Sequence, residues 1–275
     1  MVLFQNITIG NRMGNSIYLK KLPLARLSSY SALCSVLFVL ILFSCATSPK
    51  RGEYEFDTHY KFGLAHASKG ELSKAYIEFQ KAIKLDPKHK ESLNYLGNIS
   101  ARFDKYDEAE SYYKRAISVD RNYSEALNNL GVLYLETEDW DEAVKYFEMA
   151  LNNPVYSTPE MAYSNLGFAY FKKEDYISSQ NAINSALLRK PDYSPAIYVQ
   201  GLIFTKLHDD DAAIKNFLKI ISIMPDHLEA HWELANAYVR TGERDKAVEH
   251  FKFVADNGNE EIAKEAFEYI ELLDR

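Results

Sequence analysis

Cysteine is nearly missing from this sequence: there are two in 275 residues, Cys34 and Cys45. Everything beyond Cys45 lacks a thiol, which excludes a disulfide framework or a cysteine zinc site there and leaves packing alone to hold the fold. Glycine and proline are sparse, at 11 and 8, which argues against large disordered regions. A glycine-rich phosphate loop and a serine elbow are both absent. Acidic residues are missing from Met1 to Ser44, where Arg12, Lys20, Lys21 and Arg26 stand. The chain carries −7 overall and its first 44 residues +4, so the remainder carries −11. Lys105, Lys114 and Arg115 form no basic stripe, and an acidic chain without one is a poor nucleic-acid binder.

Two groups could suggest metal chemistry. His227 and His231 are spaced i, i+4, but a zinc site wants three or four ligands and no further Cys or His lies close in sequence. Asp209, Asp210 and Asp211 lack the spacing of a calcium loop and read as solvated charges at a helix start. No catalytic constellation stands out, so the expectation is a non-enzyme with no cofactor and no small-molecule substrate.

Charge of either sign is also missing from Leu27 to Pro49, and Leu33 to Phe43 is almost wholly apolar. Basic residues, an apolar run and then small residues describe a secretory signal over 1–44, with Met13 as an alternative start. Leu42-Phe43-Ser44-Cys45 resembles a bacterial lipobox. That resemblance implies lipid on Cys45, a tether over 45–55 reaching at most about 30 Å, and, from Ala46 in place of aspartate, the periplasmic face of the outer membrane. The alternative is an uncleaved membrane helix, since the uncharged run is long enough to span a bilayer.

What the rest of the sequence has is a repeat. A small residue recurs as Gly63, Gly97, Gly131, Gly167, Gly201 and Ala235, at spacings of 34, 34, 36, 34 and 34. A second recurs as Ala75, Ala109, Ala143, Ser179, Ala213 and Ala247. Four residues later stand Phe79, Tyr113, Phe147, Ile183, Phe217 and Phe251. Prolines close units at Pro87, Pro154, Pro191 and Pro225. Each unit reads as two short amphipathic helices that leave one apolar face open and so need copies on either side. This pattern resembles a tetratricopeptide-repeat array. The resemblance implies an all-α, right-handed superhelical solenoid of about six helix pairs, over 56–89, 90–123, 124–159, 160–193, 194–227 and 228–259. The junction after the third unit is two residues longer and carries Pro154 and Pro159. The tail 260–275 reads as a capping helix with Ile262, Ala263, Ala266, Phe267 and Ile270 on its packed face.

Repeat arrays of this kind bind protein or peptide segments on the concave face of their first helices. Carried over position by position, the resemblance gives Asn94 and Asn98 in the second unit, then Asn128, Val132 and Leu135 in the third. The fourth supplies Ser164, Phe168 and Phe171, the fifth Tyr198 and Leu202, the sixth Trp232 and Asn236. The asparagines suit the backbone of an extended peptide; the later positions form an apolar lining of the kind that marks interaction sites. The lysine clamp of chaperone-binding repeats is absent, Tyr60 and Leu64 occupying two of its places. The lipobox, six units, long junction and terminal helix together resemble the type IV pilus biogenesis lipoproteins of the pilotin type. Asn153-Pro154-Val155-Tyr156 followed by Asn165-Leu166-Gly167 carries the resemblance furthest. It implies a lipoprotein that binds secretin subunits and assists their targeting and assembly. An adaptor for cell-envelope enzymes such as peptidoglycan hydrolases remains the other reading.

Overall fold

The computed structural model describes residues 51–274, and all of the secondary structure in that span is helical. The expected signal, Cys45 and most of the tether lie outside the described residues. Six pairs follow one another. They are α1 (Arg51–Ser68) with α2 (Leu72–Leu85), α3 (Lys90–Arg102) with α4 (Tyr106–Val119), and α5 (Ser124–Glu136) with α6 (Trp140–Leu151). Then come α7 (Pro159–Lys172) with α8 (Tyr176–Arg189), α9 (Ser194–Lys206) with α10 (Asp210–Ile223), and α11 (Leu228–Thr241) with α12 (Arg244–Asn257). A last helix, α13 (Glu260–Leu273), closes the array. Among the described residues no helix is long and apolar enough to cross a membrane.

Each helix packs on the one before and the one after it, and from α3 onward the first helices of successive pairs also touch. The second helices stay further apart along their backbones, and α2 and α4 meet only through side chains, Tyr76 donating to Glu108 and Gln80 to the Tyr112 hydroxyl. The first helices therefore form the inner layer of the solenoid, and the second helices stand outside them.

The small residues explain the pairing. A methyl group added to Gly63, Gly97, Gly131 or Gly201 would lie 2.5–2.6 Å from the ring of Phe79, Tyr113, Phe147 or Phe217, so the ring of one helix sits directly on the backbone of its mate. Phe79, Phe147, Phe217 and Phe251 are fully buried, each contributing about 1.5–3 kcal/mol through burial. In the fourth pair Ile183 fills the same hole against Gly167, and the Ser179 hydroxyl donates to the Gly167 carbonyl at 2.7 Å. The two departures from the repeat pattern are thus accommodated at one contact.

The turn within each pair places one residue in the left-handed region, always seven positions after the small residue of the first helix. These are Gly70 and Gly242 at φ 74° and 79°, and Asp104, Glu138, Glu174 and His208 at 57–62°. Only this conformation reverses the chain in so few residues while returning hydrogen bonds to the end of the first helix, as Asp139 N–H does to the Tyr134 carbonyl at 2.8 Å.

The long junction is tied down by Asn153, which donates through Nδ2 to the Asn122 carbonyl and to Ser124 Oγ, both at 3.0 Å. Tyr156 is buried there among Leu127, Ala150 and Ala162, and Pro159 opens α7.

Two expectations change. Helix α1 starts at Arg51, inside the stretch expected as tether: nothing there stops the helix, the Thr58 hydroxyl donates to the Tyr54 carbonyl, and Phe56 stacks with Tyr60. On α13, Phe267 is 54% exposed. Its place is taken by Tyr269, which stacks on Phe251 at 5.0 Å. The packed stripe runs through Ile262, Ala266, Tyr269, Ile270 and Leu273, and position 267 is turned about 100° away from Ala266.

Candidate partner-binding surface

The inner layer divides in two. In the second and third units its polar residues are engaged with one another. Asn129 donates through Nδ2 to Asn94 Oδ1 at 3.0 Å, and Asn165 donates likewise to Asn128 Oδ1 at 3.1 Å. Asn94, Asn128 and Ser164 are buried. Asn98 Oδ1 accepts the Tyr113 hydroxyl at 2.7 Å. These asparagines thus bridge neighbouring repeats and join the two helices of a pair. The bridging residues Asn129 and Asn165 fall one position after groove positions Asn128 and Ser164 that the family resemblance implied. Their signal was repetition: asparagine two places before the glycine in both the third and fourth units.

Open space remains beside this ladder. A pocket of about 530 Å³ is lined by Asn98, Arg102, Tyr106, Asn129, Val132 and Glu136, among others. Arg102 and Glu136 are exposed at its edge, so it presents both charges and amides.

In the later units the apolar positions are half-buried. Val132 and Leu135 pack beside Phe147 and Ala169. Phe168 and Phe171 stack at 6.3 Å and lean on the cluster around Ile183 and Ile203. Tyr198, Leu202 and Trp232 pack against the cluster that holds Phe217, Leu234 and Phe251. Trp232 meets Phe251 and Tyr269 edge-on, at 5.4 and 5.5 Å, so it seats the terminal helix. Asn236 donates to the Trp232 carbonyl of its own helix. The apolar lining is therefore partly spent on packing between repeats, and what it offers a partner is the outer edges of these rings.

Electrostatics follow from burial. Desolvation pushes the Tyr198 phenol well above its ordinary value, with Glu233 and Glu229 adding to the effect. It also pushes the Glu233 carboxyl up, against the pull of Arg240 and Lys206. Arg240 is held by Asp210 at 2.6 Å.

His227 and His231 do not converge. His227 caps α11, its Nδ1 accepting the Ala230 N–H at 3.2 Å. His231 is buried, with Nε2 2.9 Å from the Pro225 carbonyl and Nδ1 2.9 Å from His250 Nδ1. A carbonyl only accepts, so His231 Nε2 carries a hydrogen and the His250 Nδ1–H donates to His231 Nδ1. Among the described residues no three His, Cys, Asp or Glu side chains gather as a metal site would require.

Comparison with known proteins identifies the repeat over part of the chain. Residues 56–89 and 91–153 match tetratricopeptide-repeat family models. Subunit CDC16 of the anaphase-promoting complex of Saccharomyces cerevisiae is 27% identical over 97 residues, 33% of this chain. The match spans only 12% of that protein's length. PilF of Pseudomonas aeruginosa has a TM-score of 0.66 at 16% identity, with 74% of this chain and 91% of that one covered. PilW, a type IV pilus biogenesis factor, has a TM-score of 0.68 at 22% identity, covering 76% and 97%. At such identities the likeness is one of fold. Residues 56–89 and 91–153 are tetratricopeptide repeats, a scaffold for protein and peptide binding, and the described residues form an all-α solenoid with the fold of PilF and PilW.

Proposed function

We propose that this chain is an envelope lipoprotein, held through lipid on Cys45 at the periplasmic face of the outer membrane, that binds secretin subunits on its inner helical layer and assists assembly of a pilus exit ring. The observation that carries this reading is that the array covers 91% of the solved PilF chain and 97% of the solved PilW chain. The signal-like N-terminus and the lipobox-like Leu42-Phe43-Ser44-Cys45 support the anchoring. The physical logic is tethering: a lipid anchor joined to a peptide-binding face raises the local concentration of a partner at the bilayer.

Three measurements test it. Labelled palmitate is expected on the full chain and absent from Cys45→Ser. Removal of the gene from its host is expected to lower the amount of assembled secretin multimer; a multimer that forms in undiminished amount refutes the secretin role. Phe168→Glu with Leu202→Glu is expected to weaken secretin capture while circular dichroism stays helical. Capture that survives both changes removes this part of the inner layer from the reading.

A further inference from the structure

We propose that the outer face of α8 is a self-association surface, pairing with α8 of a second copy in antiparallel orientation. The observation is a gap in charge. Helix α8 (Tyr176–Arg189) carries one charged residue, Arg189 at its very end, and it alone among the six second helices has no Asp or Glu. Its exposed stripe reads Ile177, Asn181, Asn184, Leu188. The corresponding stripe is Asp107 to Lys114 in α4, Asp141-Lys145-Glu148 in α6, Asp211-Lys215 in α10, and Asp245-Glu249-Lys252-Asp256 in α12. Ile177 is 79% exposed and Leu188 84%, among the most exposed large apolar side chains described.

Three features select a second copy over an unrelated partner. Two copies of a net acidic chain repel, and α8 is the outer helix at which that repulsion is least. Amide side chains both donate and accept, so Asn181 and Asn184 are self-complementary, as an isologous contact requires. Asn181 makes no side-chain hydrogen bond among the described residues, and Asn184 Oδ1 accepts from Gln180 at 3.0 Å, leaving its amide hydrogens available. The stripe is also symmetric about its own centre: the midpoint of 177 and 188 is the midpoint of 181 and 184. An antiparallel twofold pair therefore sets Ile177 against Leu188 of the second copy and Asn181 against its Asn184. The same register brings Asp175, at the start of the helix, opposite Lys190 of the second copy, at its end. A helix face about 16 Å long buries less than a standard interface of about 800 Å² a side, so the pair is weak and concentration-dependent.

The test is a charge-swap mixture of the full chain in mild detergent. One variant carries Asn181→Glu with Asn184→Glu, the other Asn181→Lys with Asn184→Lys; all four side chains face solvent, and circular dichroism checks that helicity is kept. Sedimentation is expected to show dimer growing with concentration for the unaltered chain up to about 1 mM, and at least about a ten-fold loss of pairing for each variant alone. The mixture is expected to recover pairing as a heterodimer, which affinity tags on the two variants report. An unaltered chain that stays monomeric overturns the proposal. So do variants that pair as well as the unaltered chain, and a mixture that fails to pair.

Discussion

Replacing Glu138 by glycine is expected to stabilise this protein although it deletes a side chain and adds no contact. Glu138 sits at φ 61°, where an L-residue pays about 1–2 kcal/mol for the approach of Cβ to the backbone. Glycine pays no such penalty but costs about 0.5–1 kcal/mol in extra unfolded-chain freedom. The difference leaves a net gain of about 0.5–1 kcal/mol for Glu138→Gly, and a similar one for Glu174→Gly and His208→Gly at φ 62° and 58°. The three lie in different repeats, so their effects are expected to add to about 1.5–3 kcal/mol. Gly70 and Gly242 supply the opposite experiment at the same position of the unit. A Cβ there meets nothing within 4 Å, so Gly242→Ala isolates the backbone penalty and is expected to cost about 1 kcal/mol. Urea unfolding followed by circular dichroism reads both, through the transition midpoint, with the slope checking that the array still unfolds in the same way. A midpoint that falls for Glu138→Gly while Gly242→Ala leaves it unmoved refutes the reasoning.

Gly131→Ala is expected to cost about 1–3 kcal/mol, because its methyl would lie 2.6 Å from the Phe147 ring; Ala235→Gly is expected to cost about 1 kcal/mol through helix propensity, and thermal melts compare the two. Ser179→Ala is expected to lose about 1 kcal/mol in urea unfolding by leaving the Gly167 carbonyl without its second donor. Stability is expected to fall as pH drops below 6.5, because burial and His231 hold the His250 pKa below that ordinary value. The unfolded chain then binds more protons than the folded one, so stability is present above the unfolded pKa and lost towards the folded one. Glu233, whose pKa is raised, acts with the opposite sign above its ordinary 4.5. Melting temperatures measured from pH 7.5 to 5.5 check this: His250→Gln is expected to flatten the slope, and an unchanged slope assigns it elsewhere.

The period of the small residues was enough to establish the repeat, the helical class and the number of pairs. A residue such as Gly131 recurs at a fixed interval only if its neighbour's ring must pass close by, and that contact is local to one pair. The sequence also carried the left-handed turn, visible where glycine marks it at Gly70 and Gly242, and hidden where Glu138 or His208 bears the strain. The use of the inner layer was decided only by tertiary structure. Asn94 and Asn128 read as open to a ligand, yet their partners Asn129 and Asn165 come from the next repeat, about 35 residues away. Trp232 read as groove lining, and whether it meets a partner or the closing helix depends on where Tyr269 arrives. The blankness of α8 was present as letters from the start, but only the packing shows that Ile177, Asn181, Asn184 and Leu188 face outward. Intra-pair contacts recur in every unit and so leave a trace along the whole chain; contacts between repeats recur at most locally, as the asparagine pairs do in two successive units, and leave a fainter one.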